Sequence, residues 1–273
     1  MAVLRVATFN LLHGMATASG TSDPDLLTAA ARRVDADVIG LQEVDRGAER
    51  SSGVDQCALV ADALDAPWHR FAPTVHGTPS PTPSWTAASA VDGQDTVGPT
   101  YGIALVSRLP VRSWWVRRFG PSRVPLPLPV PSAKTGRPRL AIIPDEPRLA
   151  LAAVVEGPAG PFTVVTTHLS FVPGWNVRQL RAITAWVARM PRPVLLVGDL
   201  NLPGQLPSRL TRWRPLVSAP TYPVWRPRAQ LDHILALGLD GEHVRQAQPW
   251  TLPVSDHCAL TVDLDLAAFN QGP

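Results

Sequence analysis

The sequence predicts an α/β protein in which β-sheets pack face to face and helices cover their outer sides. Three observations carry this. The apolar runs are short and rich in β-branched residues, which is strand composition. Amphipathic patterns of helical spacing lie between some of these runs. The two kinds of element do not alternate strictly: residues 149–155 (LALAAVV) and 162–167 (FTVVTT) follow each other directly, which argues against a purely parallel, doubly wound sheet.

In chain order, residues 3–9 (VLRVATF) read as the first strand. A helix follows over 24–34, with Asp23 as N-cap and Pro24 at the first helical position, where its missing N–H costs nothing. Residues 37–41 (DVIGL) form the next strand and 55–65 (DQCALVADALD) a second helix. Strands are expected at 103–107, 149–155 and 162–167. In 175–190, Val177, Leu180, Ile183, Val187 and Met190 share one helical face, with Arg178, Arg181 and Arg189 off it. Strands at 194–197, 231–236 and 259–264 complete the set. Residues 74–100 and 120–147 read as long loops. The second holds eight prolines, four of them (Pro125, Pro127, Pro129, Pro131) at alternate positions, which suggests extended chain. No internal repeat or linker divides the 273 residues, so a single domain spanning 1–273 is expected.

Composition narrows the class. The sequence is 45% hydrophobic and 17% charged. Proline and glycine together make 49 of 273 residues, about 18%, below the level of low-complexity disorder. No apolar run approaches a membrane span, and the run at the start is broken by Arg5, unlike a secretory leader; a cytoplasmic protein is expected. Cys57 and Cys258 have no metal-type spacing and read as core residues. The net charge of +3 rests on 24 arginines and the single Lys134, a usage that fits a GC-rich genome.

The informative residues are polar groups at the ends of apolar runs. Asn10 ends the first strand and Glu43 the second. His168 ends VVTTHL, Asp199 and Asn201 end VLLVGDLN, Asp232 sits in LDHI, and Asp256 and His257 in VSDHC. A single such residue reads as a cap or turn former. This many, on strands meant to pack together, converge, and burying them together is costly unless they bind something. Carboxylate and amide oxygens suit Mg²⁺, with Mn²⁺ as the alternative. The remaining Asp, Asn and His side chains suit activation of water and stabilisation of developing charge.

The motifs TFN (8–10), LQEV (41–44), THL (167–169), GDLN (198–201) and SDH (255–257) resemble, in order, those of the endonuclease/exonuclease/phosphatase superfamily, over residues 3–265. The resemblance implies a DNase I-like four-layer α/β sandwich: two mixed or antiparallel β-sheets packed face to face with helices outside. It implies Mg²⁺-dependent hydrolysis of phosphate esters. Carried over motif by motif, Glu43 is the main metal ligand, with Asn10 beside it and Asp256 also facing the metal. Asp199 activates the attacking water, Asn201 holds phosphoryl oxygens, His168 and His257 contact the phosphate, and Asp232 orients His257. Arg148, in DEPRLAL, matches an arginine of similar proteins; the competing reading is a surface ion pair with Asp145 or Glu146. His13 and Tyr101 are further substrate-side candidates, and His233 reads as a surface or core histidine. The family's AP endonucleases carry an acidic residue two positions after the first-motif Asn; Leu12 stands there and weakens that reading.

The expected activity is foremost that of a phosphodiesterase or nuclease. A phospholipid or phosphoinositide esterase of the same family is the alternative, and a catalytically silent binding module the alternative of another class. Metallophosphatases that use GD-x-H and GNH motifs are disfavoured because neither motif occurs. From Leu109 to Pro144 there are seven basic residues (Arg112, Arg117, Arg118, Arg123, Lys134, Arg137, Arg139), with Trp114 and Trp115 among them and no Asp or Glu. That segment is expected to be partly a loop beside the catalytic face. It suits nucleic acid or a membrane lipid headgroup equally, or is a solvated arginine-rich surface. No obligate protein partner is implied.

Overall fold

The computed structural model describes residues 3–79, 85–89, 98–131, 138–239 and 241–265. The strands are β1 (Val3–Asn10), β2 (Val38–Arg46), β3 (Trp68–His76), β4 (Thr86–Ala87), β5 (Thr100–Ser107), β6 (Val111–Phe119), β7 (Leu126–Pro131), β8 (Pro138–Ile143), β9 (Arg148–Gly157), β10 (Gly160–His168), β11 (Val194–Asp199), β12 (Arg214–Pro215), β13 (Asp232–Leu237), β14 (Val244–Trp250) and β15 (Ala259–Asp265). The helices are α1 (Pro24–Val34), α2 (Gln56–Ala63), α3 (Trp175–Val187) and α4 (Leu206–Thr211). All eight strands and three helices expected from the sequence are present. None of the described helices is long and apolar enough to cross a membrane.

Among the described residues the strands form three sheets. The first runs β14-β15-β1-β2-β5-β3-β4 and the second β12-β13-β11-β10-β9-β6. Each has one parallel pair, β1 with β2 and β10 with β11, among antiparallel neighbours. The inner faces meet in a core of Leu4, Val6, Ile103 and Leu105 from the first sheet against Leu151, Phe162, Val164 and Val197 from the second. Helices α1 and α2 cover the outer face of the first sheet through Leu27, Val34 and Val60. Helix α3 covers the second through Leu180, Ile183 and Val187, the stripe read from the sequence. The order helix–sheet–sheet–helix is the four-layer sandwich. Asp23 caps α1, its Oδ1 accepting from the N–H of Asp25 (3.1 Å) and Leu26 (3.0 Å).

The sheets approach closely where the functional strands run. A Cβ on Gly40 of β2 would lie 2.5 Å from Thr166 Oγ1 and 2.6 Å from Val197 Cγ2, both on the opposing sheet. Beside it, Gln42 Nε2 donates to Thr166 Oγ1 across the interface (2.9 Å), and its Oε1 accepts from Thr8 Oγ1 (3.1 Å). A buried polar bridge of this kind is stable because each of these groups is satisfied.

Besides the two-residue β4 and β12 and the β7–β8 pair, three strands escaped the sequence reading because they run at or next to sheet edges and their apolar pattern is weak. In β6, Trp114 and Val116 face the intersheet core while Trp115 and Arg117 are exposed. Strand β3 contains Pro73, and its register shifts between Pro73 and Val75. Strand β14 is largely polar and exposed. The two loop readings need correction. Of residues 74–100, the flanks belong to β3, β4 and β5, while 80–84 and 90–97 lie outside the described residues. Residues 120–147 are not one long loop: they hold a third, two-stranded sheet of β7 and β8, and the basic segment 109–144 opens with β6; residues 132–137 lie outside the described residues. The alternating prolines are compatible with that ladder. Leu126, Leu128 and Val130 pair with Ile143, Ala141 and Arg139, and the prolines take the intervening positions, where an N–H would point away from the partner strand.

Gly40→Ala is expected to lower unfolding free energy by about 1–3 kcal/mol through overpacking. Gly120→Ala, where an added Cβ meets nothing within 4 Å, should change it little. Urea denaturation of the two variants checks the difference.

Candidate active site

The parallel pairings bring the polar strand ends together. Asn10 is opposite Gln42 in the β1–β2 register, which places Glu43 one residue on. His168 is opposite Asp199 in β10–β11, and Asp199 is opposite Asp232 in β11–β13. The loop before β15 supplies Asp256 and His257. Glu43, Tyr101, Glu146, Arg148, His168, Asp199, Asn201, Tyr222, Asp256 and His257 line one cleft of about 540 Å³.

Asn10, fully buried, joins the two halves. Its Nδ2 donates to Glu43 Oε1 and to Asp199 Oδ2, each at 3.1 Å, while its Oδ1 accepts from the Leu12 N–H (3.1 Å). Ser255 Oγ donates to the Asn10 carbonyl (2.7 Å) and fixes the loop that carries Asp256 and His257. Asp232 lies behind the cleft. Its Oδ2 is 2.8 Å from His257 Nδ1, while its Oδ1 is buried without a partner. The imidazole packs at 46° to the Tyr222 ring, centroids 4.9 Å apart.

The backbone is held in the left-handed region at Leu12 (φ 44°), His13 (φ 47°), Glu43 (φ 54°), Asn201 (φ 48°) and Ser255 (φ 76°). Such conformations cost on the order of 1 kcal/mol each for non-glycine residues and cluster at functional sites. At Glu43 the turn coincides with a register shift in the β2–β5 ladder between Leu41 and Val44, which turns the carboxylate out of the strand's alternation and into the cleft. At Asn201 the turn lets the N–H donate to Asp199 Oδ1 (2.9 Å), and Asn201 Nδ2 donates to the Leu169 carbonyl (2.9 Å).

The electrostatics separate the titratable groups. Burial, and then the Asp256 carboxylate, push Glu43 up to about 7, against the hydrogen bond from Asn10. Burial raises Asp199 and Asp256 as well, with His257 opposing in each case. His257 goes the other way. Burial alone would lower it, but Asp232, with Asp199 and Asp256, raises it to about 10. His168 is held well below 6.5, first by burial and then by Arg148 and His257. One imidazole is thus cationic and the other neutral near pH 7, a division typical of acid–base sites.

Glu43 and Asp256 are half-buried carboxylates that repel each other, and Asn10 Oδ1 adds an amide oxygen with a lone pair to spare. This hard-oxygen set fits a divalent cation such as Mg²⁺. A second group, Asp199, Asp232 and His257, has donor atoms within 4.8 Å of one another. It fits less well, because a protonated His257 hydrogen-bonded to Asp232 offers no lone pair.

Most of the residues singled out in the sequence converge here. Arg148 is buried rather than on the surface. Its Nη1 lies 2.9 Å from Glu146 Oε1 and its Nη2 4.0 Å from Asp145 Oδ1, and it lines the cleft together with Tyr101. His13 does not line it: Leu12 takes that position, and the His13 imidazole, lowered to about 4 by burial and Arg50, sits on the side of Arg50 and Asp45. His233 is buried, with Nε2 2.9 Å from the Leu202 carbonyl, and both cysteines are buried and free. Glu146 and Tyr222 are cleft residues that sequence reasoning missed. Glu146 was weighed only as an ion-pair partner, and nothing in PTYP marks Tyr222 as special.

The Endonuclease/Exonuclease/phosphatase family model matches residues 7–257, and the chain belongs to that family. Among solved structures, an endonuclease/exonuclease/phosphatase from Beutenbergia cavernae is 23% identical, with a TM-score of 0.63 over 97% of this chain and 72% of that one. A mannosyl-6-phosphatase from Bacteroides thetaiotaomicron is 16% identical, with a TM-score of 0.61 over 96% and 99% of the two chains. A sphingomyelinase C from Streptomyces griseocarneus is 17% identical, with a TM-score of 0.55 over 97% and 100%. At these identities the likeness is one of fold. The sequence has no significant match among curated proteins.

Two outcomes test the electrostatics. In NMR titrations of the metal-free protein, His257 should remain protonated through pH 8, and Asp232→Asn should move its titration back toward or below 6.5. Because the folded pKa is raised, this pair stabilises the fold fully below pH 6.5 and the contribution fades as pH rises toward 10. Saturating Mg²⁺ should raise the melting temperature, by about 2.7 kcal/mol of stability at a hundredfold excess over Kd. The gain should be smaller at pH 6 than at pH 8, because Glu43, with its pKa near 7, must lose a proton to bind the ion. Thermal scans at the two pH values read this directly.

Proposed function

We propose that the protein is a Mg²⁺-dependent phosphohydrolase, foremost a phosphodiesterase. The observation that carries this is the convergence of Asn10, Glu43, His168, Asp199, Asn201, Asp256 and His257 around one cleft, with the two histidines pushed to opposite charge states. Glu43, Asn10 and Asp256 would hold the ion, which supplies positive charge against the phosphoryl oxygens when bound.

The remaining steps belong to the chain's own side chains. Asp199, with its pKa raised by burial, is a competent base near neutral pH and takes the proton of the attacking water at Oδ1 or Oδ2. Asn10 and the Asn201 N–H hold that carboxylate at one orientation. His257 presents Nε2 to the phosphate, because Asp232 fixes Nδ1 and stabilises the cationic ring. His168, and the Asn201 amide N–H not given to Leu169, donate to the oxygens of the pentacoordinate phosphorus. The Arg148 guanidinium is paired with Glu146 through Nη1, but its Nε is buried without a hydrogen-bond partner, and Arg148 lines the cleft, which suits a further phosphate oxygen.

The chemistry of the site suits a nucleic-acid strand and a phospholipid headgroup alike; the headgroup is favoured by the exposed apolar side chains Leu140 and Ile142 on the hairpin whose Ile143 lines the cleft. Either substrate is a phosphodiester, and the chemistry at phosphorus is the same.

Hydrolysis of a chromogenic phosphodiester should require added Mg²⁺ or Mn²⁺ and stop in excess EDTA; full activity in EDTA would refute the reading. Asp199→Asn and His257→Ala should each lower kcat by about a hundredfold or more with a modest change in KM, since both groups act on the transition state. The melting temperature of Asp199→Asn should hold or rise, whereas His257→Ala, which leaves the buried Asp232 carboxylate unpaired, should lower it. Glu43→Ala should lose turnover together with the Mg²⁺-induced rise in melting temperature, as read by parallel kinetic and thermal assays.

A further inference from the structure

We propose that the β7–β8 hairpin is a membrane-docking element that seats the mouth of the cleft on an anionic lipid surface. The hairpin is a sheet of its own, hydrogen-bonded to neither large sheet among the described residues. The antiparallel register puts Leu126, Ala141 and Ile143 on one face, and Ile143 lines the cleft. Pro127, Leu140 and Ile142 lie on the other face. That face is bare: Leu140 is 75% exposed and Ile142 71%, and Val124, just before the hairpin, is 61% exposed. Largely exposed aliphatic side chains grouped in this way mark interaction surfaces.

Three features choose lipid as the occupant. The first is charge. Arg123, next to the exposed Val124, and Arg117 on β6 are exposed, and the whole run from Leu109 to Pro144 contains no carboxylate, so the segment that carries the apolar face is cationic. The second is the backbone. The outward positions of β7 are Pro127, Pro129 and Pro131, which have no N–H. That edge can leave water without stranding a donor, the main cost of putting a strand edge into a membrane interface. The third is the shape of the apolar groups. Leu140 and Ile142 are aliphatic, and acyl chains need only apolar area. The loop that carries the cleft residue Tyr222 presents Trp225, 73% exposed, as a second anchor of the type favoured at headgroup depth.

That the docked substrate is a lipid phosphate ester rests on the phosphohydrolase reading; the docking itself is read without turnover. The full chain, in EDTA, is mixed with vesicles of phosphatidylglycerol and phosphatidylcholine or of phosphatidylcholine alone, and bound protein is measured by flotation. Binding should prefer the anionic vesicles and weaken with salt. Leu140→Ser with Ile142→Ser should weaken it by at least about tenfold. Arg117→Gln with Arg123→Gln should weaken it on the order of tenfold and flatten the salt dependence, from roughly 1 kcal/mol per arginine at the surface. Both pairs should retain hydrolysis of a small soluble phosphodiester in Mg²⁺. Equal binding to neutral and anionic vesicles, or unchanged binding in the aliphatic pair, overturns the proposal. So does preferential binding of single-stranded or duplex DNA that depends on the arginines and not on the aliphatic pair, which would assign the surface to nucleic acid. Loss of all soluble turnover with vesicle binding intact would refute the phosphohydrolase reading and leave the docking standing.

Discussion

The Asn10 side-chain amide is the interaction on which the site depends. It sits at the end of a central strand of one sheet and donates to a carboxylate of its own sheet, Glu43, and to one of the facing sheet, Asp199. Two carboxylates on separately folded sheets are thereby set against each other by one planar group with two N–H bonds. That geometry holds only if the sheets keep a fixed separation and shift. The Gln42–Thr166 bridge, level with Asn10, and the contact at Gly40, two residues further back, impose this. The sheet interface is thus part of the site's machinery: a small slide between sheets would break an amide bond to one carboxylate and leave a buried charge unpaired, which is strongly destabilising.

The same compactness sets up an electrostatic conflict. Glu43, Asp199, Asp232 and Asp256 crowd a poorly solvated region, and Glu43, Asp199 and Asp256 are all pushed upward by burial. His257 meets part of the demand. Its ring, clamped by Asp232, is the cation that the Asp199 and Asp256 carboxylates both feel. Arg148 meets another part, against Glu146 and Asp145. A protein selected for stability alone would not bury this many acids, because apolar replacements of similar volume cost less. The surplus of negative charge on the Glu43 side is what a cation would relieve, and the surplus of donors around Arg148 and His257 is what an anion would relieve. On the proposed reading, the cleft would divide between a pole for metal and a pole for phosphate.

Much of this was legible in the sequence, for a physical reason. Strands buried on both faces must be continuous apolar runs, so β1, β2, β10 and β11 announce themselves, and a polar residue that ends such a run stands out. Asn10, Glu43, His168 and Asp199 were visible on those grounds. Edge strands are half polar, so β6 and β14 lacked the signal, and the prolines of β7 read as loop. Tyr222 and Glu146 could not be read from spacing, because each enters the cleft from a loop whose path depends on tertiary contacts, as in the Val224 N–H bond to the Asp256 carbonyl (2.7 Å). His13 was adjacent to the right element but on the wrong side of a tight turn. The left-handed conformations of Leu12 and His13 present the former to the cleft and turn the latter toward Arg50.

The proline alternation that hid β7 also explains how such a strand can exist at all. An exposed edge rich in Leu and Val invites pairing with another chain, and native proteins protect such edges with prolines and charges. Here Pro127, Pro129 and Pro131 remove every outward donor of β7 while leaving the inward donors free to bond β8. The hairpin can therefore expose aliphatic side chains without becoming a template for aggregation, and its ladder to β8 stays intact. Its other face lines the cleft through Ile143. One short element thus couples the outer surface to the cleft, and its sequence satisfies both demands through the period-two alternation of a strand: one set of residues turned toward the cleft, the other turned outward.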